Sequence, residues 1–137
     1  MTLLALALLL ASSLGGPDAR EAAQALADSC QDARCVAQGM VYGKAESGLS
    51  RAPKPFSTDA KDGTSCSIWQ TPCALTKGRS IAEQARLWTA MRARSLAHCG
   101  NLSALASGAC GRATKLVQAR EAEASAWLYA ITWANLP

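Results

Sequence analysis

Six cysteines in a chain of 137 residues constrain this sequence more than any other feature: Cys30, Cys35, Cys66, Cys73, Cys99 and Cys110. An even count in a small chain with an export-like start reads as a disulfide framework. Zinc is a poor alternative, because there is no C-x-x-C and the single histidine, His98, stands alone beside Cys99. Six cysteines admit fifteen pairings. The sequential one is expected, 30 with 35, 66 with 73 and 99 with 110, each bridge contributing ~2–3 kcal/mol through loop-closure entropy. The first bridge requires a break in the helical pattern around it, since residues five apart on one continuous helix point in different directions.

Residues 2–14, TLLALALLLASSL, are almost wholly apolar, and small residues follow. The apolar core of this run is about ten residues, half the roughly twenty a membrane span needs. The pattern fits a secretory signal peptide over residues 1–17, although no Lys or Arg precedes it; an uncleaved hydrophobic helix is the alternative. The mature chain is then expected to begin near Gly15 to Arg20, with residues 18–137 forming a single domain. The net charge of +4 suits an anionic polymer such as a bacterial cell wall. It is too small and too scattered along the chain to argue for nucleic acid.

Helical spacing dominates the remainder. Pro17 and Asp18 open an Ala-rich segment. Residues 32–47 place Val36, Met40 and Gly43 on one face, with Ala37 and Val41 beside it. Gly39 and Gly43 in this helix each cost about 1 kcal/mol relative to Ala, and the close approach of another backbone is the expected compensation. Residues 49–79 hold three prolines and many Ser and Thr, and read as a long irregular loop with room for a short β element, pinned by its two cysteines. Ser80 and Glu83 form a capping-box pattern. Behind it Ile81, Ala85, Trp88 and Leu96 are expected to build an apolar face. Leu116 and Trp127 are the expected core anchors of a C-terminal helix. The fold expected is mainly α, with a long irregular loop, braced by disulfides.

With one histidine, a nucleophilic triad would rest on His98 alone, and a histidine late in a helix is explained by the helix dipole. Paired cysteines supply no nucleophile, and Gly-rich phosphate loops are absent. Carboxylate chemistry remains. Glu46 closes the central helix, followed two residues later by Gly48. The partial negative charge at a helix C-terminus favours the protonated form of a carboxyl, the form that can donate a proton to a leaving glycosidic oxygen.

Glu46-Ser47-Gly48, then SCSIWQ at residues 65–70, then LASG at residues 105–108 running into SGAC at 107–110, together resemble the lysozyme-like lytic transglycosylase domain. The closest likeness is to small exported bacterial variants with extra cysteines, over roughly residues 33–125. The resemblance implies that Glu46 is the general acid/base and that Gln70 lines the substrate cleft. It implies backbone-shaping roles for Gly48 and Gly108, and a substrate-binding surface that includes Ser47, Ser67, Trp69, Leu105 and Ser107. Trp69 is either an apolar cleft wall or core. Two positions depart from the pattern: Ser67 stands where the family has Gly, and Leu105 where it has a Tyr near the catalytic Glu.

The implied reaction is cleavage of the bond between N-acetylmuramic acid and N-acetylglucosamine in peptidoglycan, giving a 1,6-anhydro end with no metal or cofactor. Hydrolysis would need a second carboxylate, for which Asp59 and Asp62 are the candidates. The expected protein is a secreted or periplasmic monomer whose partner is the glycan strand, with no membrane span after signal removal. Two other classes stay open: a secreted cell-wall-binding or inhibitory module that has lost the chemistry, and an assembly protein of a secretion or phage apparatus.

Overall fold

The apolar stripe of the central helix decides the layout. Val36, Ala37, Met40 and Val41 are fully buried, and the helix that carries them is covered on several sides. The computed structural model describes residues 1–51, 65–111 and 115–136, with the side chains of Ala106 and Ser107 outside that description. In chain order the described residues form α1 (Leu3–Leu14), α2 (Ala19–Ser29), α3 (Ala33–Ser47), β1 (Ser65–Cys66), β2 (Thr71–Pro72), α4 (Cys73–Thr76), α5 (Ile81–Cys99), α6 (Ser103–Ser107) and α7 (Lys115–Ala134). The described residues are therefore mainly helical with one small sheet. α3 packs against α1, α2, α5 and α7, and α2 packs in turn on α1 and α5.

The apolar N-terminal run forms α1, capped by the Thr2 hydroxyl, and Leu6, Ala7, Leu10 and Ala11 are buried in the common core. Among the described residues no helix is long and apolar enough to cross a membrane. Asp18 precedes α2 as expected. Its carboxylate makes no cap hydrogen bond there; it accepts instead from the Arg51 N–H at 2.7 Å, while the Arg51 side chain pairs with Glu21. The start of α2 is thereby tied to the chain leaving α3.

The helix break that the first bridge demands lies between α2 and α3. Cys30 is extended, and Asp32 starts α3 by accepting from the Cys35 N–H at 2.8 Å. That corner brings the Cα atoms of Cys30 and Cys35 to 5.6 Å. Cys66 bridges Cys73 and Cys99 bridges Cys110, so the pairing is sequential. The Cys66–Cys73 bridge staples the antiparallel pair β1–β2, in which Ser65 faces Pro72 and Cys66 faces Thr71.

The two α3 glycines admit close neighbours, but these are side chains and not the backbone expected. A Cβ at Gly39 would lie 2.6 Å from Leu26 Cδ2, and one at Gly43 would lie 2.7 Å from Leu49 Cδ2 and 3.2 Å from Trp69 Nε1. Large residues from α2 and from the segment beyond α3 fill the space that the missing side chains leave.

In α5 the Ser80–Glu83 capping box is complete. Ile81, Ala85 and Trp88 are buried, but Leu96 is 37% exposed, which corrects its assignment to the apolar face. Seven residues span two turns, so the face that holds Trp88 continues at Ser95, and Leu96 lies a further 100° round. Ser95 is buried, its hydroxyl donating to the Asn101 carbonyl at 2.7 Å and accepting from the Ala104 N–H. The same offset corrects α7. Val117, Arg120 and Ala124 form its buried face, Leu116 is 53% exposed, and Trp127 is only partly buried against the core.

Candidate active site

α3 ends where the glycine permits it. Gly48 adopts φ +71°, its N–H donating to the Lys44 carbonyl at 2.9 Å, a left-handed stop that glycine accepts without strain. Glu46, in the last turn, is held beside α7, and its side chain is 30% exposed. One turn earlier on the same face lies Tyr42. Arg120 of α7 reaches across, its Nη1–H donating to Glu46 Oε1 at 2.5 Å, with its side chain only 11% exposed. The Arg120 guanidinium sits over the Tyr42 ring, 5.1 Å from the centroid, a cation–π placement.

These three side chains line a groove of about 380 Å³. Trp69 and Trp88 form one wall, with ring centroids 6.4 Å apart and nearly parallel planes, and Trp88 lies against Tyr42 at 5.8 Å. Gln70, Leu105 and the exposed Leu116 complete its rim. Four of the residues singled out from sequence thus share one groove: Glu46, Trp69, Gln70 and Leu105. Trp69 is both wall and core. It is buried, and its indole N–H donates to the Gly39 carbonyl at 2.8 Å, so it offers a ligand an apolar face and no hydrogen bond.

Ser47 and Ser67 lie elsewhere. Ser47 does not face the groove; its hydroxyl donates to the Gly43 carbonyl at 3.1 Å and accepts from the Ser50 N–H at 3.2 Å. A serine at a helix end satisfies local backbone before anything else. Ser67 also lies outside the groove lining, its hydroxyl directed to the Arg51 carbonyl at 3.4 Å. Gly108 adopts φ +74°, stops α6 by donating to the Ala104 carbonyl at 2.8 Å, and borders a neighbouring cavity with His98 and the Cys99–Cys110 bridge. The Ser107 side chain, and Asp59 and Asp62, lie outside the described residues. Among the described residues no group of three or more His, Cys, Asp or Glu side chains could hold a metal ion.

The turn that presents Gln70 is built on two residues with positive φ. Ser67 has φ +66° and Gln70 φ +49°. The Gln70 side-chain amide and backbone N–H both donate to the Ser67 carbonyl, at 2.8 and 3.2 Å. A glycine suits φ +66°, whereas a serine there costs about 1 kcal/mol. Ser67→Gly is therefore expected to raise the unfolding free energy by ~0.5–1 kcal/mol in urea denaturation, some of the gain being offset by the freer unfolded chain. A loss of stability would mean that the serine hydroxyl contributes more than its backbone strain costs.

Arg120, Tyr42 and Trp88 were not singled out for the site from sequence. For Arg120 a signal existed: a charged residue three positions after Val117 and four before Ala124 occupies a core-spaced position. Tyr42 precedes Glu46 by four residues, and that spacing alone puts both on one face. Burial pushes the Tyr42 hydroxyl up to about 12, with Glu121 adding to the effect, so it remains an O–H donor at any physiological pH.

No protein-family model matches the chain, and neither a curated protein nor a solved structure matches it.

Proposed function

We propose that this chain is a small exported peptidoglycan-cleaving enzyme of the lysozyme-like lytic transglycosylase type, with Glu46 as its single acid/base. The observation that supports this is convergence. Glu46, Gln70 and Leu105 come from three motifs far apart in sequence, and all three border one groove. In the proposed reaction Glu46 protonates the oxygen linking a muramoyl residue to the next sugar, and that bond breaks at C1. The carboxylate left behind then takes the proton from the muramoyl C6 hydroxyl as that oxygen attacks C1. One carboxylate suffices because the nucleophile belongs to the substrate, whereas hydrolysis would require a second. Trp69 and Trp88 supply an apolar wall for a sugar face, and the phenol that Leu105 cannot supply is present in the groove as Tyr42.

Three disulfides are compatible with an extracellular or periplasmic setting. In this reading residues 1–17 leave on export, and the surfaces that α1 covers on α2 and α3 are open in the mature chain.

The Glu46–Arg120 pair favours a second reading. While Glu46 accepts from Arg120 Nη1, its carboxyl is engaged and must be released before it can act on a substrate oxygen. A wall-binding module that keeps the groove and lacks the chemistry fits that resting state. Turbidity of purified cell walls separates the two. The enzyme clears the suspension, whereas a protein that sediments with the walls while turbidity stays constant is the binding module.

A further inference from the structure

We propose that the floor of the Glu46 groove is a carboxylate-binding site, and that its ligand is a sugar carrying a free carboxylate. The observations are two orphaned polar groups. Tyr42 Oη and Arg120 Nε are both closed off from solvent, and neither has a hydrogen-bond partner among the described residues. A buried polar group without a partner is costly, and native proteins rarely leave one so without a reason. Here both belong to side chains that border the same groove. One is an N–H on a fixed cation and the other is an O–H that stays protonated, so together they call for an anionic acceptor.

Geometry narrows the class to a carboxylate. The guanidinium fork matches two carboxylate oxygens, the Tyr42 ring lies against it at 5.1 Å, and Glu46 engages only Nη1. An incoming carboxylate can take Nε together with Nη2, the edge of the guanidinium that Glu46 does not occupy.

The identity of the sugar rests on the glycosidase reading above; the site itself rests on Arg120 and Tyr42. In an intact wall the muramoyl lactyl carboxyl is bound as an amide to the peptide stem. The substrate implied is therefore glycan whose stems have been removed, and the reaction that must supply it is amide hydrolysis.

The test is titration of the full disulfide-bonded chain with N-acetylmuramic acid and with its methyl ester, followed through arginine Nε–H and tryptophan indole NMR signals. The acid is expected to bind at least ~10-fold more tightly than the ester, as a charge-assisted bidentate contact implies. Tyr42→Phe should weaken the acid several-fold and leave the ester unchanged. Arg120→Lys, which keeps the charge and loses the fork, should cut the preference to a few-fold. Equal affinity for acid and ester in the wild type, which depends on no variant folding, overturns the proposal. If that wild type also clears walls, only the carboxylate site is lost and the glycosidase reading survives. A wild type that prefers the acid and cleaves neither intact walls nor peptide-free glycan supports the site and overturns the glycosidase reading.

Discussion

Glu46→Gln is expected to remove wall clearing while leaving the fold in place. The amide has nearly the shape of the carboxyl, and its oxygen can still accept from Arg120 Nη1, so the α3–α7 contact that the pair makes is kept. In the proposed mechanism, what is lost is the proton that the leaving sugar oxygen requires. General acid catalysis contributes typically 10²–10⁴-fold, and the variant is expected to lose at least about that factor. Arg120 would face a neutral partner, which costs stability. Because the Glu46 side chain is 30% exposed, the penalty is well below the 3–5 kcal/mol of a fully buried broken pair, at about 1–2 kcal/mol. Clearing rates should therefore be measured alongside urea denaturation, at a temperature where both proteins are folded. Clearing by the variant at the wild-type rate would remove Glu46 from the mechanism.

Reduction of the three bridges is expected to have the largest effect on stability. The loops they close are short, with sequence separations of 5, 7 and 11. Loop-closure entropy then assigns them roughly 7 kcal/mol together. A domain of this size has only about 5–15 kcal/mol in total, so most of the margin disappears with the thiols reduced. The bridges also fix the elements that carry the groove. Cys30–Cys35 sets the corner from which α3 starts, Cys66–Cys73 closes the turn that presents Trp69 and Gln70, and Cys99–Cys110 ties the end of α5 to the chain beyond α6. Urea denaturation followed by circular dichroism, with and without dithiothreitol, should show the midpoint collapse on reduction. Matching midpoints would mean that the helical core alone carries the fold.

What was legible in the sequence was mostly local. The capping box at Ser80 and Glu83, the glycine stop after Glu46 and the break between Cys30 and Cys35 depend on neighbours within a few residues. The face of α3 followed from its spacing. The misassignments have a common cause: Leu96 and Leu116 were weighed by residue type, when helical phase puts Ser95 and Val117 inward in their place. Non-local chemistry was less visible still. Arg120 meets Glu46 across 74 residues of sequence, and only the packing of α7 on α3 makes that meeting. Ser47, by contrast, had a local use for its hydroxyl, and that use took precedence over the role its motif suggested.

The most direct test of the central claim is the mass of the products. Purified peptidoglycan digested with the wild-type protein should release fragments ending in 1,6-anhydro-muramoyl residues, lighter by one water than hydrolysis products, and Glu46→Gln should release none. Fragments with ordinary reducing ends would contradict the intramolecular mechanism. An absence of fragments from the folded wild type, on both intact and peptide-free glycan, would contradict the assignment of Glu46 as a catalytic acid.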